Sequence, residues 1–89
     1  MKVIWKKILE PIVLQTIQLP NDAEILCAHE QIEQVCIWFK CTIDAPTSPR
    51  WIKIVGTGHE HEELDGRYLG TAMLSGGQLV LHVFEEGAI

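Results

Sequence analysis

Turn-forming residues divide this chain into short apolar segments, and this division limits most strongly the folds open to it. Proline, glycine, asparagine and aspartate cluster at residues 20–22, 44–49, 56–58 and 75–78. The segments between them are rich in β-branched and aromatic residues, which favour strands. The chain therefore reads as a series of short strands.

The apolar pattern predicts seven strands, over residues 1–8, 12–19, 24–30, 34–43, 51–55, 67–74 and 79–84. The two prolines in 44–49 predict a loop, since proline cannot sit in a paired central strand. Residues 60–66 are polar and acidic and offer the one place for a short helical turn. Gly70 predicts a bulge or a close approach of two backbones, and Gly76-Gly77 a tight hairpin turn.

Short strands at this spacing are typical of antiparallel proteins rather than of βαβ units. We therefore expect an all-β fold, a small antiparallel β-sandwich or barrel of about seven short strands, in a single domain over residues 1–89. Alternation within the strands predicts a core of Val35, Ile37, Phe39, Ile52, Ile54, Leu79, Leu81 and Val83.

Composition narrows the classes of partner. The net charge of −5 argues against binding to duplex nucleic acid, which needs lysines and arginines at the phosphates. Glu10 and Pro11 interrupt the apolar start, and no apolar run reaches the roughly 18–20 residues of a membrane span. With no Cys-x-x-Cys spacing among its three cysteines, the chain is expected to be cytoplasmic, without a metal or other cofactor.

The segment 56–59, Gly-Thr-Gly-His, brings backbone N–H groups, a hydroxyl and an imidazole together within four residues. With Arg50, Lys53 and Arg67 flanking it in sequence, it could form a nest for an anionic ligand; the alternative is a glycine-rich turn that ends a strand. The candidate ligand-binding residues are Gly56, Thr57, Gly58, His59, Arg67 and Tyr68.

The same region raises the question of metal chemistry. His59 and His61 have the His-x-His spacing of a metal site, with Glu63 as a third donor, although such an acidic segment is equally typical of an exposed loop. His82 lies in the middle of a strand and is interpreted as a hydrogen-bonded buried histidine. With no nucleophile motif such as Gly-x-Ser-x-Gly, we do not expect an enzyme.

Trp38 is the tryptophan that the pattern places on a surface. It shares a strand face with Lys40, opposite the apolar face of the same strand. Because indoles and neighbouring cations often anchor protein partners, Trp38 and Lys40 are candidate protein-interface residues.

Three blocks of the chain together resemble a known family: Met-Lys-Val-Ile-Trp-Lys at the start, Ile-Val-Gly-Thr-Gly-His in the centre, and Gly-Arg-Tyr-Leu-Gly-Thr followed by Leu-His-Val-Phe-Glu at the end. The resemblance is to short, functionally uncharacterised proteins encoded in phages and prophages. It implies a small cytoplasmic all-β phage protein that acts on host defence or host machinery. That family has no assigned activity, so it assigns no residue a role here.

Three functions remain open from sequence. The first is a non-catalytic accessory protein that binds a host factor, and the second an oligomer that sequesters a nucleotide-derived or other anionic ligand. The third is a metal-dependent enzyme using His59, His61 and Glu63. The two-sided apolar character of residues 79–84 and the small size also predict a homo-oligomer, most simply a dimer.

Overall fold

The computed structural model describes residues 1–87 and contains seven strands in two antiparallel sheets, which confirms the predicted fold class. The last two residues of the predicted domain lie outside the described part. In chain order the strands are β1 (Lys2–Ile8), β2 (Leu14–Pro20), β3 (Glu24–Gln31), β4 (Gln34–Thr42), β5 (Thr47–Gly56), β6 (Arg67–Leu74) and β7 (Leu79–Glu86).

The smaller sheet has three strands in the order β1-β4-β3. β3 and β4 form a hairpin, with Gln31 paired to Gln34 across a two-residue turn. Both turn residues, Ile32 and Glu33, have positive φ angles of 50° and 59°. β1 then adds to the other side of β4, with Trp5 opposite Phe39.

The larger sheet has four strands in the order β2-β5-β7-β6. The predicted loop over 44–49 is too long, because β5 begins at Thr47 and carries Pro49 opposite Gln18 of β2. The bond from Ile54 N to Val13 O shows that even-numbered residues of β5 exchange bonds with β2, so the nitrogen of Pro49 points away from β2. Pro49 therefore costs the pairing of β5 with β2 no hydrogen bond.

The two sheets meet through their apolar faces and approach each other most closely where β3 passes β6. A β-carbon on Gly70 would collide with the carbonyl of Ala28, and the φ angle of Gly70 is 155°. The pairing of β6 with β7 shifts register between Tyr68 and Gly70. Both readings of Gly70, a bulge and a close approach, are therefore confirmed.

Most of the predicted core is confirmed. Val35, Ile37, Phe39, Ile52, Ile54 and Val83 are at most 4 % exposed, and Leu81 packs against them half-buried. The prediction is wrong for Leu79, which is 45 % exposed. Its side chain lies on the predicted face of β7, but at the first residue of the strand, at the end of the sandwich. The core also contains Leu19 and Ile25, which are fully buried and were not among the predicted core residues.

Helical structure occurs elsewhere than predicted. No helix forms within residues 60–66; the one 3₁₀ turn in the described part of the chain spans Ser75–Gly77, between β6 and β7. Gly76 and Gly77 take positive φ angles there, as the hairpin prediction required. Among residues 1–87 no helix has the length and apolar character needed to cross a membrane.

Candidate functional surfaces

The Gly56–His59 segment forms a tight turn whose polar backbone is largely used within the chain. Thr57 N–H donates to the Val80 carbonyl and His59 N–H to the Gly56 carbonyl, each at 3.2 Å. The imidazole of His59 folds back over Gly56, where a β-carbon would lie 2.8 Å from the ring. Two of the N–H groups of the predicted nest are thus already bonded, which is the geometry of a strand-ending turn.

Thr57 and Tyr68 are connected by a row of polar side chains across the outer face of the larger sheet. The Thr57 hydroxyl lies 2.7 Å from His82 Nε2, and the Thr71 hydroxyl 3.1 Å from His82 Nδ1. Tyr68 Oη lies 2.5 Å from the same Thr71 oxygen. His82 is therefore a satisfied, half-buried histidine as predicted, although its partners are threonines.

Arg67 does not join this row. The bulge after Tyr68 changes the alternation of β6, so Arg67 pairs with Glu85 on the inward side while Tyr68 pairs with Phe84 on the outward side. The Arg67 guanidinium donates to the Ile25 carbonyl of the other sheet at 3.1 Å. The structure thus links Tyr68 to Thr57 through Thr71 and His82, and it places the Arg67 side chain on the opposite face of the sheet.

The other two flanking cations are also engaged. Arg50 Nε lies 2.5 Å from the Glu85 carboxylate, and Arg50 Nη1 donates to the Ala23 carbonyl at 3.0 Å. Lys53 Nζ donates to the Glu63 carbonyl at 3.0 Å, which ties the acidic loop to the sheet. None of the three cations flanking residues 56–59 is directed at that turn.

The His59, His61 and Glu63 side chains form no metal centre. Among residues 1–87 no three histidine, cysteine, aspartate or glutamate side chains gather in a way that could hold an ion. His61 instead faces a shallow cavity of about 410 Å³ that Lys53 and Glu63 also line. Within the described chain its buried Nε2 has no hydrogen-bond partner.

Trp38 lies at the centre of the outer surface of the three-stranded sheet. Its cross-strand neighbours are Lys6 of β1 and Cys27 of β3. On the same surface Ile4 is 58 % and Ile8 49 % exposed, while Trp38 is half-buried. We call this surface, made of Lys2, Ile4, Lys6, Ile8, Trp38 and Lys40, the Trp38 face.

Lysines surround the apolar centre of the Trp38 face. Lys40 lies 3.6 Å from Glu24 and Lys2 3.1 Å from Asp22, both in exposed ion pairs, while Lys6 donates to Gln31 at 2.7 Å. Sequence reasoning found Trp38 and Lys40 but missed the β1 residues. The lysine-isoleucine alternation of β1 was the available signal, but its strand partner could not be known.

Asp22 fixes one corner of this face. Its carboxylate accepts bonds from the Thr42 hydroxyl at 2.5 Å, from Thr42 N–H at 3.1 Å and from Lys2 Nζ at 3.1 Å. These donors, those of Thr42 first, lower the pKa of Asp22 from 3.8 to about 2. The carboxylate thereby links the β2–β3 turn to the ends of β4 and β1.

Comparison with known proteins gives a family without an assigned activity. No curated protein and no solved structure matches the chain. One family model matches residues 1–88, which confirms the expectation of an uncharacterised family. On that match the chain belongs to the family described as a domain of unknown function, DUF7352.

Proposed function

We propose that this chain is a non-catalytic binding module that holds a protein partner on the Trp38 face. The observation that carries the proposal is the combination on one sheet surface of a half-buried tryptophan, two half-exposed isoleucines and three lysines. Aromatic anchors with an apolar surround and a charged rim are typical of protein-binding hot spots.

Charge indicates what kind of partner fits. The chain carries a net charge of −5, yet three of its seven lysine and arginine residues lie on this one face. The exposed ion pairs of Lys2 with Asp22 and of Lys40 with Glu24 contribute little stability in water, and either lysine can exchange its carboxylate for one of a partner. The face therefore suits an acidic protein surface that also presents apolar side chains.

The expected partner remains a factor of the host cell, bound by a phage or prophage accessory protein in the host cytoplasm. The support for that origin is the resemblance of the three sequence blocks. The Trp38 face indicates the surface that this partner presents, which is acidic and carries apolar side chains.

The anion-binding alternative has less support. Arg50, Lys53 and Arg67 each bond within the chain, and the turn at residues 56–59 uses two of its own N–H groups. A nucleotide that raised the melting temperature by several degrees at a hundredfold its Kd would nevertheless favour the alternative. We expect no such shift.

Site-specific photo-crosslinking tests the proposal in host-cell lysate. A photoreactive amino acid replaces Ile4 on the Trp38 face, where the native side chain is 58 % exposed. As a control it replaces Met73 on the outer face of the other sheet, where the side chain is 60 % exposed. We expect one discrete adduct with a protein other than a second copy of this chain at position 4, and none at position 73.

Two substitutions then test which residues hold the captured protein. Trp38→Ala and Lys6→Glu should each weaken its binding at least tenfold, whereas Trp51→Ala, on the outer face of the larger sheet, should leave it unchanged. An adduct confined to position 73, or binding that survives both changes on the Trp38 face, would contradict the proposal.

A further inference from the structure

Exposed apolar side chains are concentrated at the start of the chain. Of the fourteen exposed large apolar residues in the described chain, seven lie within residues 1–14, around the edge strands β1 and β2. Trp5 is among them, 42 % exposed although its ring stands edge-on to Phe39 at 6.5 Å. An exposed apolar edge strand of this kind is usually paired with, or covered by, another chain segment or another molecule.

The backbone of β1 is open along the same edge. Bonds from Ile43 N to Met1 O and from Leu9 N to Val35 O show that the odd-numbered residues exchange bonds with β4. In an antiparallel pair the residues between them direct N–H and C=O groups to the other side. Lys2, Ile4, Lys6 and Ile8 therefore present a row of donors and acceptors that no strand within residues 1–87 pairs.

We propose that β1 pairs with β1 of a second copy of this chain, antiparallel about a two-fold axis at Trp5. The two three-stranded sheets then become one continuous six-stranded sheet. Lys2 lies opposite the partner copy's residue 8, and Ile4 opposite its residue 6, each pair exchanging two backbone hydrogen bonds. Trp5 lies opposite its own copy in the closer, non-bonded position, where cross-strand side chains make most contact.

The lysines select this register. Shifting the pairing by two residues toward either end places a lysine directly opposite a lysine, either Lys2 against residue 6 or Lys6 against itself. The register centred on Trp5 uses all seven residues of β1 and puts every lysine opposite an apolar residue, whose surface its methylene stem can cover. Lysines that would otherwise protect an edge strand here determine how it pairs.

The lysines also give the dimer a distinctive response to salt. Six β1 lysines approach each other, so their repulsion opposes association and is screened as ionic strength rises. Dimerisation should therefore tighten between about 0.05 and 0.5 M salt. A contact between oppositely charged surfaces would weaken over the same range.

This inference is independent of the proposed partner. A six-stranded sheet would join two Trp38 faces side by side, but either copy could bind a partner as a monomer. Loss of the dimer with retained crosslinking of a different protein at position 4, or the reverse, therefore distinguishes failure of one proposal from failure of the other.

Proline substitution of the edge provides the first test. Lys6 N–H points away from β4, so Lys6→Pro removes a donor of the dimer and none of the monomer. Sedimentation equilibrium should give twice the 10.1 kDa of one chain for the wild type and for Lys6→Ala, with Kd raised about tenfold or more by Lys6→Pro. A monomeric wild type, or a dimer indifferent to Lys6→Pro, overturns the proposal.

Disulfide trapping tests the register, in a Cys27→Ser background that removes the exposed native thiol. Trp5→Cys should form an intermolecular disulfide under mild oxidation because only residue 5 meets its own copy. Val3→Cys, two residues away on the same side of β1, should not. Efficient trapping through Val3→Cys or Ile4→Cys instead of Trp5→Cys would overturn this register.

Discussion

At the scale of single residues, Asp22 shows how one exposed carboxylate can organise three strand ends. It accepts two bonds from Thr42 and one from Lys2, so it joins β1, β4 and the turn before β3. Aspartate in a turn is usually explained by local backbone bonding. Here its partners lie 20 residues away in both directions of the chain.

We expect Asp22→Asn to lower the melting temperature at neutral pH. The folded pKa of about 2 lies below the unfolded value of 3.8, so the carboxylate contributes stability above the unfolded pKa and loses it as pH falls through the folded pKa. The difference in melting temperature between wild type and variant should therefore narrow from pH 4 to pH 2. Thermal unfolding followed by circular dichroism across this range measures it.

Asp44→Asn is the matched control, since Asp44 makes no side-chain hydrogen bond or ion pair with residues 1–87. It should leave the melting temperature nearly unchanged at every pH. A difference for Asp22→Asn that persists unchanged at pH 2 would exclude the charged carboxylate as the cause.

At the scale of elements, the β3–β4 hairpin forms despite its turn residues. Its two-residue turn needs positive φ at both positions, which asparagine and glycine favour, but Ile32 and Glu33 occupy them. Glu33 is partly compensated because its carboxylate accepts the Ser75 N–H at 2.8 Å. Ile32 is 85 % exposed and has no comparable compensation.

We predict that Ile32→Asn stabilises the protein by about 1 kcal/mol, because a β-branched residue is disfavoured in the left-handed region and asparagine is tolerated there. Urea denaturation should show a higher midpoint with an unchanged slope. Ile32→Val, which keeps the β-branch, should show no gain. Equal stability of all three proteins would mean that Ile32 carries little strain.

Elements were also the scale at which sequence reasoning worked best. The core was predicted with one exception, Leu79, whereas Arg67 and Pro49 were misplaced. Strand positions followed from turn residues and alternation, which are local. The face of β6 on which Arg67 lies could not be predicted, because the bulge before Gly70 adds one residue to the strand. Side chains beyond such a bulge lie on the face opposite to the one that simple alternation predicts. The loop predicted at Pro49 was wrong for a related reason, because only the strand register shows that its nitrogen points away from β2.

At the scale of the whole molecule, Arg50 connects the two sheets. It lies on the inner face of β5, is paired with Glu85 of β7, and donates to the carbonyl of Ala23 just before β3. Both side chains are shielded, with 22 % and 15 % of their surface exposed. A charge here is tolerated because each partner satisfies the other.

We predict that Arg50→Met costs about 2 kcal/mol, since it leaves the Glu85 carboxylate shielded and unpaired. Adding Glu85→Gln to Arg50→Met should recover part of the loss by removing that charge. The four proteins of this cycle can be compared by urea denaturation. Strictly additive losses would show that the two side chains do not interact.

The strand order has a consequence for the route by which the chain folds. β3–β4 and β6–β7 are hairpins between neighbouring segments, whereas β1 must find β4, and β2 must find β5, across about thirty residues of intervening chain. Closing such loops costs entropy before any contact is gained, so pairing between distant segments slows folding. The two hairpins should therefore acquire structure before the amino-terminal strands do.

Pulsed hydrogen exchange during refolding measures this sequence of events. Amides of β4 that bond to β3 should become protected earlier than those that bond to β1, although both lie on one strand. Simultaneous protection on the two sides of β4 would instead indicate a single cooperative step. If the two sides separate, the amino-terminal segment is the last to join, and a refolding chain exposes an unfinished sheet edge until it does.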